Sequence, residues 1–553
     1  MLRPDNSRDI PKMTKEVANA CFPKGNIYIK LRDEMGTLFV DEQFSELFPP
    51  QGQPAMSPWR LALITVMQFM EGLSDRQAVD SVAARIDWKY LLGLKLMSSS
   101  FDNSVLSEFR TRLLNGSPEK IFLETLLNIC EGRNWIRKGG TIRTDSTHVL
   151  SAIRATNRIV CAEETLRYAL NGLANLVPEW LKENVPPEWG HLYIRRAGST
   201  RMPKGTKERL EIATCIGRDG HWLLDMVFGD DNVSWLRDTP MIEILRRVWI
   251  QQYYIHDDGE VIYREKKSLG TTNALDFISS PYDLDARYAK KFTTSWIGYK
   301  AHITETCDTD LPYLITNVST TKGPVADTKK VGAIHENLKD EGRLPDAHLV
   351  DMGYISSQNL LQSEKIYGVD LIGPIRKDEK WQARTESGFA LSDFDIDIDG
   401  QRAICPEGKE CSSWARTIDN GKDTVKIKFS SKDCRVCKSR HLCTKSTRRT
   451  LTLRKPEEYL AILKARKRAK NEGFKNVYNR RAGIEATISW ATRSFGLRKA
   501  RYSGIEKTSL QHVVIATALN LNRIYYWLEE RERTDTRISA FGRLMKGIKN
   551  QAA

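Results

Sequence analysis

Three carboxylates set far apart along the chain, Asp145, Asp351 and Glu485, each stand where the local sequence carries them toward a shared point. Gathered carboxylates repel one another unless a cation lies between them, and hard oxygen donors suit Mg²⁺ or Mn²⁺. Two such ions roughly 3.5–4 Å apart can stabilise both the attacking and the leaving oxygen of a phosphodiester displacement. A lone Asp at a strand end more often caps a helix or orders a turn. The weight of the reading therefore falls on the elements that would bring these acids together.

TIRTD (141–145) is a short β-rich run entering a polar turn, Ser146-Thr147-His148. GYKAHITETC (298–307) alternates Tyr299, Ala301 and Ile303 with polar neighbours, the period-two signature of a strand. LPYLITNVSTT (311–321) predicts a second strand, with Asp308-Thr309-Asp310 as the hairpin turn. Helix is expected over Thr328–Leu338, strand over 348–354, helix over Ser356–Tyr367 and strand over 369–375. The result is an α/β plan with a mixed sheet, in the strand order of a ribonuclease-H-like core. Asp145 then ends the first strand and Asp351 the fourth, and groups at adjacent strand ends converge in space.

Glu485 belongs to a helix expected over about 474–494, with a last helix over 507–530. Tyr478, Arg481 and Glu485 are spaced by three and four residues and share one face. Val477, Ile484, Ile488 and Ala491 form an apolar stripe rotated by roughly 100°. One face packs, while the other presents a phenol, a guanidinium able to grip a phosphate in bidentate fashion, and a carboxylate. The plain alternative is a solvated face with an i,i+4 Arg–Glu pair.

TDSTHV around Asp145, VDMGY around Asp351 and YNRRAGIE around Glu485 resemble bacterial insertion-sequence transposases of the DDE class. The last of these is similar to the subgroup marked by a Tyr-Arg-Glu-Lys signature. The resemblance runs from the N-terminal segment LFVDEQFSELFPPQGQPAMSPWRLALITVMQFMEGLSDRQAV to the final helix. It implies a ribonuclease-H-like catalytic core, dependence on Mg²⁺ or Mn²⁺, Asp145, Asp351 and Glu485 as metal ligands, and Tyr478 and Arg481 as contacts to the transposon end. The signature Lys falls at Thr492 here; Arg493, Arg498 or Lys499 are the candidates to replace it, so Arg493 and Lys499 join the expected DNA contacts. The implied reaction is cleavage at the element's ends followed by attack of the freed 3′-hydroxyl on target DNA. A stand-alone metal-dependent nuclease and a DNA-binding protein with decayed catalysis remain as rivals.

Five of the ten cysteines crowd between 405 and 443. Cys434 and Cys437, with Cys443 and Cys405, offer four thiolates for a possible structural Zn²⁺; Cys411 and His441 compete as fourth ligand. A reduced cluster without metal and a redox role are the other readings. His148 lies near Asp145, either touching substrate or, more plainly, making a local hydrogen bond.

The net charge of +15 favours a polyanionic partner, because Lys and Arg on phosphates release condensed counterions. RKPEEYLAILKARKRAKNEGFKNVYNRR (454–481) concentrates that charge beside the acidic helix. Double-stranded DNA, as transposon ends and target, is the expected partner, bound by a homodimer because two ends must meet. No run of about 18 apolar residues is present, so no membrane span is expected. The start lacks the apolar core of a signal peptide, and a cytoplasmic, nucleoid-associated protein follows. The map is a helical DNA-binding or dimerisation domain over 1–135, a catalytic core over 139–150, 285–375 and 474–530, a mainly helical insertion over 151–284, a Cys-rich basic insertion over 376–473 and a basic tail over 531–553. Ser57-Pro58, Ser74-Asp75 and Asp102 to Ser104 are the expected helix starts in the first of these.

Overall fold

A computed structural model describes the chain except at residues 3, 5–7, 117–119, 155, 198–202, 266–272, 377, 420, 532–538, 540, 542–543 and 545–553. The basic tail expected over 531–553 thus lies largely outside the described residues.

The N-terminal region is helical, with α1 (Pro58–Glu71) and α2 (Ile121–Gly132) as its longest packing elements beside Ser104–Gly116. The α1 start differs in detail from expectation. Ser57 makes no side-chain cap; its hydroxyl donates to Asp41, whose Oδ1 also accepts the Trp59 N–H at 3.0 Å. The buried carboxylate does the capping, since the chain before Pro58 turns the Ser hydroxyl away from the helix. Ser74 does cap Asp75–Ala84, in a reciprocal box with Gln77.

β1 (Gly139–Leu150) follows. It does not stop at Asp145 in a polar turn: Ser146, Thr147 and His148 continue the strand because His302, Ala301 and Lys300 pair with them. Next come α3 (Arg158–Leu176), α4 (Thr206–Gly229) and α5 (Pro240–Gln252), which bury Leu166, Leu173, Leu223 and Leu245 in a core of their own. The main sheet resumes with β2 (Arg287–Lys291), β3 (Thr294–Thr306), β4 (Ile315–Lys322), β5 (Pro345–Val350) and β6 (Asp370–Ile372). β2 was not foreseen; β5 and β6 are shorter than expected. The order is β4-β3-β1-β5-β6, with β2 pairing the first half of β3 on the edge where β4 pairs the second. β1 runs antiparallel to β3 and parallel to β5. This mixed α/β architecture is compatible with a ribonuclease-H-like core.

Helices cover both faces of the sheet. α6 (Val331–Asp340) and α7 (Ser357–Tyr367) pack on Ile142, Val350 and Leu371. The opposite face, with Val149, Tyr299, Ala301 and Ile303, shares one core with α1, α2, α10 (Gly483–Phe495) and α11 (Ile505–Leu528). α11 is buried on nearly every side between Leu510 and Leu521, the mark of a helix enclosed by others. In chain order, a three-stranded meander with its own small core follows β6, made of β7 (Cys411–Asp419), β8 (Lys422–Phe429) and β9 (Thr450–Arg454), and then come the basic α8 (Pro456–Ala469) and α9 (Glu472–Asn479). Among the described residues no helix is long and apolar enough to cross a membrane.

Four histidines are locked inside this scaffold. His348 accepts or donates to Thr144 at 2.6 Å and to His335 at 2.9 Å, joining β1, β5 and α6. His302 meets Tyr354 at 2.7 Å, and His512 of α11 meets Thr320 of β4 at 2.7 Å. Burial pulls His302, His335 and His512 down to about 4 and His348 well below its ordinary range. A depressed folded pKa leaves stability intact above the unfolded value near 6.5 and removes it as pH falls toward 4. Stability should therefore drop steadily between pH 6.5 and 4.5, by roughly 2 kcal/mol for each of His302, His335 and His512; a flat profile over that window contradicts the assignment.

Candidate active site

Along β1, Arg143, Asp145, Thr147 and Val149 face α10 and α11, while Ile142 and Thr144 face α6 and α7. The parallel pairing of β1 with β5 ends at Thr144 opposite Val350. Asp145, in mid-β1, and Asp351, just past the end of β5, are therefore the next residues beyond the point where the two strands stop pairing. Asp145 Oδ1 accepts the Ser146 N–H at 2.7 Å, and Asp351 Oδ1 accepts the Gly353 N–H at 2.6 Å. Burial raises the Asp145 pKa, and the Asp351 charge adds to the rise against the opposing pull of the Ser146 N–H and Arg481.

Glu485 reaches this point through a turn rather than on one unbroken helix. Between α9 and α10, Arg480–Ala482 tightens into a 3₁₀ turn. Arg143 Nη1 donates to the Arg480 carbonyl at 2.5 Å. Gly483 admits that guanidinium: a Cβ there would sit 2.1 Å from Arg143 Nη1. The expected single face is thereby rotated, and Arg481 becomes the link. Its Nη1 lies 3.1 Å from Asp145 Oδ2 and its Nη2 lies 2.7 Å from Glu485 Oε1. Arg481 is only 15 % exposed, whereas Glu485 is 64 % exposed, so the Glu carboxylate hangs at the rim and the Arg occupies the interior.

Tyr478 is partly buried against Cys307, Leu349 and Ile372 and stacks on Phe474 with ring centroids 5.6 Å apart. Arg481 lies 5.9 Å from the Tyr478 ring. A groove of about 290 Å³ opens beside the acids, lined by Asp145, Ser146, Glu485, Thr492, Arg493 and Arg498 among others. Thr492 turns its hydroxyl back to the Ile488 carbonyl at 2.7 Å. Arg498 is anchored to Thr147 at 2.7 Å. Arg493 and Arg498 thus line the groove where the signature Lys is absent. Lys499 does not: it is exposed at the end of β1, where its backbone bridges Leu150. His148 also points elsewhere, its ring 5.5 Å from that of Trp296.

Two features escape sequence reasoning. Asp327 receives the Ser146 hydroxyl at 3.3 Å and pairs with Lys300 at 3.0 Å. It faces Asp351 across Gly353, where a Cβ would lie 2.9 Å from Asp351 Oδ1 and 3.2 Å from Asp327 Oδ2. An Asp just before a predicted helix reads as a cap, and no spacing distinguishes it. The second feature is a buried ion network. Glu305 of β3, wholly buried, is held by Arg143 at 2.6 Å, Arg523 at 2.7 Å and the Thr487 hydroxyl at 2.7 Å.

Cys405, Cys434 and Cys443 pack in the small apolar core of the meander. Burial pushes the Cys443 thiol up to about 11, with Cys434, Cys405 and Cys437 adding to the rise. All ten cysteines are free, and exposed His441 turns Nδ1 to the Lys438 carbonyl. Among the described residues no three or more His, Cys, Asp or Glu side chains are drawn together as a metal set, at the acids or at the thiols. At the acids the Arg481 guanidinium stands between the Asp145 and Glu485 carboxylates.

Residues 404–525 match a family model described as a transposase DDE domain, and residues 16–112 match one described as a transposase domain (DUF772). None of the curated proteins searched matches. The first match includes Glu485 and the cysteine meander; Asp145 and Asp351 lie outside both. Together the two matches indicate a transposase, an enzyme acting on DNA.

Removing one partner from a buried ion network strands the others without compensation. Glu305→Ala should lower unfolding free energy by about 3–5 kcal/mol in urea titration, and a loss below about 1 kcal/mol would show that the network does not hold α10 and α11 to the sheet.

Proposed function

We propose that this chain is an insertion-sequence transposase of the DDE class, cleaving DNA at its element's ends and joining the freed 3′-hydroxyl to target DNA. What supports the reading is Arg481, which joins Asp145 to Glu485 while Asp351 follows β5 where its pairing with β1 stops. On this reading the mixed sheet is a ribonuclease-H-like core and Asp145, Asp351 and Glu485 are its metal ligands. Mg²⁺ or Mn²⁺ held by these three acids would supply the positive charge that phosphodiester displacement needs at its attacking and leaving oxygens.

The chain's own residues carry the remaining work. Arg481 neutralises Asp145 and Glu485 in the free protein; released from Glu485, its fork can hold a phosphate with two parallel hydrogen bonds. Arg493 and Arg498 supply charge along the groove, in the role that a Lys at position 492 would fill. The ring of Tyr478, packed on Phe474, limits how far Arg481 can swing. Lys and Arg on α8 and α9 track the backbone of the duplex, and the N-terminal helices read the element's ends within a homodimer. Zn²⁺ held by Cys405, Cys434, Cys437 and Cys443 would brace the meander from which α8 departs.

The decisive experiment uses DNA spanning the boundaries of the element that encodes this chain. With Mg²⁺ the wild type should nick and join it, and EDTA should stop both. Asp351→Asn and Glu485→Gln should each lower cleavage at least about 100-fold, some 3 kcal/mol of barrier, with duplex affinity kept within threefold. Cleavage without joined products would favour a simple nuclease, and full activity in either variant would refute the assignment. Metal analysis of the purified protein should give one zinc per chain, reduced by Cys437→Ser; no zinc in either sample removes that part of the reading.

A further inference from the structure

β2 and the first turn of β3 form a two-stranded ribbon whose loop is only Phe292 and Thr293, since Lys291 pairs directly with Thr294. Phe292 has φ +54°, a backbone setting that Gly, Asn or Asp normally fills in tight hairpins. The non-glycine residues with positive φ among those described are Asn134, Phe292, Gln401 and Glu530, and Phe292 alone has an apolar side chain. That side chain is 87 % exposed. An aromatic held in a disfavoured conformation, with its ring in water, is costly twice over, and such outliers concentrate at sites of contact.

The ring does not stand alone. Tyr288, 55 % exposed, and Lys290 and Lys291, also exposed, lie on the ribbon beside it. The ribbon joins the groove at its base: Trp296 packs on His148, and Arg498, which lines the groove, bonds the neighbouring Thr147. Lys291 and Arg498 are both close enough to lower the His148 pKa, after burial. A line of positive charge thus runs from the acids to the hairpin tip, complementary to a phosphate backbone leaving the groove. Two-stranded ribbons fit a duplex groove, and apolar side chains can wedge between base steps at the expense of stacking.

We propose that Phe292 is a DNA wedge: the β2–β3 ribbon lies along the duplex leaving the groove, and the Phe292 ring enters a base step. This inference rests on the DNA-acting reading above. A wedge gains most where stacking is already weakened. The test uses the full chain without divalent metal and a 40-base-pair duplex of mixed sequence, matched or with one central T·T mismatch. Binding is followed by fluorescence anisotropy. Wild type should bind the mismatched duplex about tenfold tighter, as expected of a side chain that unstacks bases. Phe292→Gly should bring the two within twofold by losing more affinity for the mismatched duplex than for the matched one, with chain mass unchanged, and its Tm should equal or exceed wild type because Gly relaxes the turn. Absence of mismatch preference in wild type, or its survival in Phe292→Gly, overturns the wedge alone. A change of mass by light scattering in Phe292→Gly makes the tip a contact between copies and likewise overturns it. Failure of wild type to bind either duplex removes the DNA reading and the wedge with it.

Discussion

A carboxylate sealed from water has to be matched by charges that are equally sealed, and Glu305 imposes that condition on four elements at once. Arg143 comes from β1, Thr487 from α10 and Arg523 from α11, while Glu305 itself belongs to β3. Buried ion networks are expensive to desolvate and strongly directional once formed. Their value here is geometric: α10 has one seat against the sheet. Arg143 then does a second task by drawing in the Arg480 carbonyl, which shapes the turn before α10 and aims Arg481 at Asp145. The acidic site inherits its geometry from a network one layer beneath it.

That site carries more negative charge than its surroundings comfortably hold. Asp145 and Asp351 both follow directly on the last β1–β5 pair, Asp327 faces Asp351, and Lys300 and Arg481 are the cations set against them. Lys300 is tied twice, to Asp327 and to the Val325 carbonyl at 2.6 Å, so it braces the loop before α6. Arg481 bridges a buried and an exposed acid, and the exposed half of that bridge is weakly held in water. The arrangement is rigid on the Asp145 side and loose on the Glu485 side.

Much of this was legible from the chain because strands announce themselves by alternation. Tyr299, Ala301 and Ile303 alternate as expected and do face the core. Glu305 continues that alternation onto the same covered face, where it meets Arg143, and nothing in the local sequence marks the two as partners. Asp145 was read as a strand end since Ser, Thr and His follow it, whereas partners on β3 extend the strand to Leu150. The 3₁₀ turn at Arg480 depends on Arg143, more than 300 residues away, and local periodicity carries no trace of such a contact. Asp327 illustrates the same limit, being one more polar residue ahead of a helix until the fold sets it beside Asp351.

The segment holding α3, α4 and α5 departs after Leu150 and returns at Arg287, and both residues pair with Gly298 from opposite sides of β3. With neighbouring strands about 4.8 Å apart, the two stems stand only about 10 Å from each other. Gly298 permits this crowding, since a Cβ there would lie 2.2 Å from the Val149 carbonyl oxygen. A module with its own apolar centre, grafted through so narrow a neck, can lengthen, shrink or be exchanged over evolutionary time while the strands beneath it keep their register.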